Sequence, residues 1–70
     1  MTLRNKLEDM DVGSGDNRSF IVRQGGCDMH VSRRYLEGGW QTVLDTEVLY
    51  ITSEDNPMTG KCLVFVLNND

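Results

Sequence analysis

Lys61-Cys62-Leu63-Val64-Phe65-Val66-Leu67 is the longest nearly unbroken apolar run in the chain. Its length is that of a strand, and β-branched and aromatic side chains dominate it, so the run predicts extended backbone rather than helix. Both alternating sets are apolar: Cys62, Val64 and Val66 lie on one face, Leu63, Phe65 and Leu67 on the other. The pattern predicts cover on both sides. Burying side chains of this kind along one strand contributes on the order of 10 kcal/mol before chain entropy is subtracted.

A chain of 70 residues makes a single domain spanning residues 1–70, because it buries only about 60% of its extended surface and cannot divide that between two cores. Hydrophobic residues at 39% and charged residues at 26% are near globular averages, which predicts a folded rather than a disordered chain. Limited burial and a two-sided apolar strand make a homodimer, or a larger partner that completes the core, an expectation to test. No apolar run approaches the length of about 18 residues that suggests a membrane span, and Met1-Thr2-Leu3-Arg4-Asn5-Lys6 is followed by acids rather than a hydrophobic signal segment. The expected location is cytoplasmic, with no membrane partner. Two cysteines, Cys27 and Cys62, are too few for a disulfide framework, and a bridge between them needs neighbouring strands.

Moving back from the apolar run, Ser53–Gly60 is a polar break in which Asn56-Pro57 and Gly60 carry turn chemistry, so the last strand is expected to return antiparallel to residues 47–53. Residues 40–51 have two readings. Trp40, Val43, Leu44, Glu47 or Val48, and Ile51 fit a helical stripe, while Thr42, Val43, Val48, Tyr50, Ile51 and Thr52 favour two short strands turning near Asp45-Thr46, the reading we prefer. Further upstream, residues 19–24 predict a strand, Gly25-Gly26 a two-residue hairpin loop, and residues 27–32 a strand with one wet face. That strand is expected to continue through Arg33-Arg34-Tyr35-Leu36 to a turn at Glu37-Gly38-Gly39. At the start, Leu3, Leu7 and Met10 share one face of a short helix over residues 2–11, with Thr2 as N-cap. Val12-Gly13-Ser14-Gly15-Asp16-Asn17 has the composition of a flexible loop and lacks the pattern of a phosphate cradle. The expected fold class is α+β: a short N-terminal helix packed on an antiparallel meander of four to five strands.

Chemistry-bearing residues are sparse. Cys27-x-x-His30 with a distant Cys62 lacks the fourth ligand of a structural zinc site, and residues 27 and 30 point to opposite faces of a strand. Cys/His catalysis needs an activated thiol, whereas both cysteines are expected in strand-like apolar surroundings that leave a thiol inert. The scattered acids single out no catalytic pair. We expect no enzyme, no metal and no cofactor.

The net charge of −4 is unevenly placed, with four arginines in residues 18–36 flanked by acidic segments on both sides. Arg18, Arg23, Arg33 and Arg34 with nearby aromatics could grip nucleic acid, yet the chain is acidic overall and no nucleic-acid-binding signature appears. Alternatively, the arginines pair with the chain's own acids or with an acidic partner. Carboxylates on a small rigid sheet could instead occupy a basic groove. In size and charge profile the chain resembles the small antagonists encoded by phages and other mobile elements, anti-CRISPR and anti-restriction proteins among them. A folded chain with no residues placed to do chemistry leads us to expect a non-enzymatic protein-binding module that modulates or inhibits a larger partner, and the resemblance implies a host defence or nucleic-acid-handling complex as that partner. The expected contacts are Arg33, Arg34, Tyr35, Glu37, Trp40, Asp45, Glu47, Tyr50, Glu54 and Asp55, aromatic residues being over-represented at interface hot spots. The other readings are a small nucleic-acid-binding protein using residues 18–34 and a self-assembling subunit joined at a sheet edge.

Overall fold

The computed structural model describes residues 1–58 and 60–69. Its elements run α1 (Leu3–Asp9), β1 (Ser19–Gln24), β2 (Cys27–Ser32), α2 (Arg33–Glu37), α3 (Gln41–Leu44), β3 (Val48–Asn56) and β4 (Gly60–Leu67). One four-stranded sheet has the order β2-β1-β4-β3. The short N-terminal helix and the largely antiparallel sheet of the α+β class are both present, but the sheet is not a simple meander: β1 and β4 pair in parallel. After β2 the chain crosses through α2 and α3 to the far edge, so β4 returns into the middle beside β1. Its apolar residues on both faces suit that central place.

Local sequence explains most of the elements. Gly25 and Gly26 have φ of 60° and 80°, the left-handed conformations that a two-residue hairpin turn requires, and they join β1 to β2 with Gln24 opposite Cys27. Thr2 caps α1, its hydroxyl accepting from the Asn5 amide at 3.3 Å. The Leu3 amide donates to Thr46 O and the Val48 amide to Met1 O, both at 2.9 Å, which ties the N-terminus to the start of β3.

The strand expected through residues 33–36 is instead the helix α2. Ser32 ends β2 and caps α2, accepting from the Tyr35 amide at 3.2 Å, and the helix carries Leu36 into the core. Residues 40–51 divide between the two readings. Gln41–Leu44 is helical with Val43 and Leu44 buried, and the strand begins only at Val48. β3 then runs through Ser53, Glu54 and Asp55 to Asn56, pairing antiparallel with β4 as expected. The polar break therefore shrinks: Asn56 Oδ1 accepts the Met58 amide at 2.8 Å. Thr59, within that break, lies outside the described residues.

The helices cover one face. Leu3 and Leu7 of α1, Leu36 of α2 and Val43 and Leu44 of α3 join Phe20, Val22, Val31, Phe65 and Leu67 of the sheet in a single core. Val64 and Ile21, paired across β4 and β1 on the opposite face, are also buried, although no described helix packs there. Their cover comes from the sheet's own side chains. Arg23 of β1 forms bidentate bonds to Asp28 of β2 (2.7 and 2.9 Å) and to Glu54 of β3 (2.9 and 3.0 Å). Because β4 lies between β1 and β3, the arginine reaches across it on this face, and long side chains held this way cover apolar surface with their stems. Cover on both sides of the strand is thus real at Val64 and Phe65 and fails at Leu63, which is exposed.

Candidate partner-binding surface

The α2–α3 corner brings two aromatic rings together. Leu36 points into the core, which turns its neighbour Tyr35 outward, and Trp40 precedes the first turn of α3. The Trp40 amide donates to Leu36 O at 2.8 Å and the Val43 amide to Trp40 O at 3.0 Å, fixing the backbone on both sides of the indole. The two rings lie nearly parallel, with centroids 6.3 Å apart and an interplanar angle of 22°. Both remain exposed, Tyr35 at 56% and Trp40 at 42%. Together with Asn17, Ser32, Arg34 and Gly38 they line an open cleft of about 620 Å³.

The loop beside this cleft was expected to be flexible, but it is tied down along its length. Glu37 accepts from the Gly15 amide at 2.9 Å, Arg34 donates its amide to Asp16 O at 3.0 Å, and the Arg18 guanidinium grips Asp16 while reaching Asp11 O at 2.6 Å. The Glu37 carboxyl is held below its ordinary range, chiefly by the Ser14 hydroxyl and then by the Gly15 amide, with Arg33 adding attraction. Asp16 and Asp28 are lowered for the same kind of reason, by bonds from Arg18 and from Arg23 respectively. A lowered folded-state pKa means the unfolded chain binds more protons, so this stabilisation is complete above the unfolded value of about 4.5 for Glu and is lost as pH falls through the folded one. Melting temperature is therefore expected to fall on acidification below about pH 4.5. In Glu37→Gln the fall is shallower, and scanning calorimetry over pH 2–6 checks both.

Of the expected contact residues, Arg34, Tyr35 and Trp40 are brought together, while the others are dispersed. Arg33 is a correction: it is 5% exposed, with Nη1 donating to Val12 O at 3.2 Å and Nη2 to Glu8 at 3.3 Å. Its Nε lies 3.4 Å from Glu37, close enough for charge attraction but not aligned for a hydrogen bond. Arg33 and Glu37 therefore support the cleft from behind. Asp45 pairs with Arg4, Glu47 is exposed at the start of β3, and Tyr50 stands exposed on the sheet's outer face. Glu54 is held by Arg23. Asp55 is exposed opposite Lys61. The acids thus form no single patch, and much of their charge is met within the chain.

Asn17 and Ser32 are cleft residues that sequence reasoning did not single out. Ser32 carried a signal, since a serine before Arg-Arg-Tyr-Leu-Glu is an N-cap pattern; Asn17 carried none. Cys27 and Cys62 lie on β2 and β4 with β1 between them, so their strands are not neighbours and no disulfide joins the two. Cys27 is exposed beside the hairpin turn rather than sunk in apolar surroundings.

Among the described residues no helix is long and apolar enough to cross a membrane. Comparison with protein families finds none that matches the chain, and comparisons with curated proteins and with solved structures find no match either.

Proposed function

We propose that the chain is a non-enzymatic protein-binding module that acts in the cytoplasm by modulating or inhibiting a larger macromolecular partner, with the Tyr35–Trp40 pair as its anchor. The observation that carries this reading is the stacked, exposed pair at a braced corner next to Arg34. Stacked aromatics on a fixed backbone lose little entropy on binding and are typical interface anchors. Among the described residues, Arg34 is the one arginine with no carboxylate in ion-pair range, since Arg4, Arg18, Arg23 and Arg33 all hold acids. The cleft therefore suits a partner surface that presents a carboxylate beside an apolar or planar side chain. Occupying an arginine segment with the chain's own acids also favours a protein over nucleic acid, because phosphate tracking needs several free cations. The profile shared with phage-encoded antagonists favours a defence or nucleic-acid-handling complex as that partner.

Binding of the recovered partner to purified variants tests the reading. Trp40→Ala is expected to weaken affinity by at least about 30-fold, a hot-spot loss of roughly 2 kcal/mol, with an unchanged melting transition. Arg34→Ala should weaken binding less and reduce its salt dependence. Unchanged affinity in Trp40→Ala, or retardation of nucleic acid that Arg34→Ala abolishes, contradicts it.

A further inference from the structure

The two edges of the sheet differ in how they are protected, and the difference points to a second copy of this chain. The β3 edge carries the acids Glu47 and Asp55 beside and near its ends and no base, its third acid, Glu54, being held by Arg23, and its register with β4 shifts between Val48 and Tyr50. Like charges and a bulge are standard barriers to edge pairing. A two-fold pairing of β3 about Ile51 would set Glu47 against Asp55 twice. The β2 edge has neither barrier. Its register with β1 is unbroken from Gln24↔Cys27 to Ser19↔Ser32, and its one acid, Asp28, is already balanced by Arg23.

Hairpin geometry fixes which backbone groups this edge offers. With a two-residue turn, Gln24 and Cys27 form a hydrogen-bonded pair, so in alternation Cys27, Met29 and Val31 bond toward β1. The amides and carbonyls of Asp28 and His30 then face outward. We infer that β2 pairs antiparallel with β2 of a second copy about a two-fold axis at Met29, making one eight-stranded sheet. In that register Asp28 of each copy lies opposite His30 of the other as a hydrogen-bonded pair, so four backbone bonds form and two opposite-polarity side-chain pairs result. Both side chains lie on the outer face and both are exposed. Met29, half-buried against the core, meets its own copy on the inner face and joins the two cores. Centring the axis on His30 instead would oppose histidine to histidine and Asp28 to Ser32, so the imidazole-to-carboxylate pairing selects the Met29 register.

Sedimentation equilibrium on the full chain across a concentration series tests the inference. The wild type is expected to move from 7.9 kDa toward twice that mass. His30→Asp, which opposes acid to acid at two symmetric positions, should raise the dissociation constant about tenfold or more, while His30→Lys should keep or tighten the dimer. Hydrogen exchange adds a residue-level readout: the Asp28 and His30 amides slow as concentration rises, whereas the Met29 amide is slow throughout. A chain that stays monomeric at millimolar concentration overturns the inference. So does a dimer indifferent to His30→Asp, or one whose new protection falls on β3.

Discussion

Phe65→Asp is expected to abolish the cooperative thermal transition altogether. Phe65 is 1% exposed at the centre of β4 and meets Phe20 edge to face, ring centroids 5.1 Å apart at 72°. Truncating a buried phenylalanine to alanine costs about 3–5 kcal/mol, and burying an unpaired carboxylate adds several more. A domain of this size has a total stability of roughly 4–10 kcal/mol. The loss exceeds or matches it, so circular dichroism should show a chain without a melting step. Phe65→Leu is the companion variant: it keeps the transition and lowers it by about 4–8 °C for each kcal/mol lost. A Phe65→Asp protein that melts like the wild type would remove β4 from the core.

Arg33→Ala carries the second largest expected loss, about 2–4 kcal/mol. The substitution removes the donor to Val12 O and the positive charge facing Glu8 and Glu37, and it leaves space where the aliphatic stem packed. Glu8 is largely exposed and recovers water, which keeps the figure below that of a fully buried pair. Arg33→Met refills the volume without the charge and should lose less, since removing a charge while keeping its packing is cheaper than leaving a hole. Urea unfolding checks both, the midpoint falling more in Arg33→Ala than in Arg33→Met with the denaturant slope unchanged. Arg33→Ala at wild-type stability would mean that the guanidinium is not needed inside.

How far the sequence could be read depends on which interactions are local. The Gly25-Gly26 turn, the helix face of Leu3 and Leu7, and the strand character of residues 61–67 each rest on residues close in sequence, and each appears in the fold. The parallel pairing of β1 with β4 is a long-range choice that no short motif marks, so a meander was the natural expectation. Taken alone, Arg33-Arg34-Tyr35-Leu36 extends as readily as it coils; the Ser32 cap and the Arg33/Glu37 spacing decide for helix once the chain leaves β2. That helix also separates two adjacent arginines. Its phase aligns Arg33 with Leu36 and Glu37 and sends it inward, while Arg34 turns outward. Tyr35 and Trp40 were legible as exposed aromatics, but their stacking depends on two short helices that the strand reading did not contain.

The α2–α3 corner as the contact surface is tested most directly by two-dimensional NMR of the isotope-labelled chain titrated with its recovered partner. The account predicts that the Trp40 indole N–H and the amides of residues 32–40 shift or broaden together, while amides of β4 at the sheet centre stay in place. An unmoved Trp40 indole, with the perturbations gathered instead on Tyr50 and the outer sheet face, would contradict it.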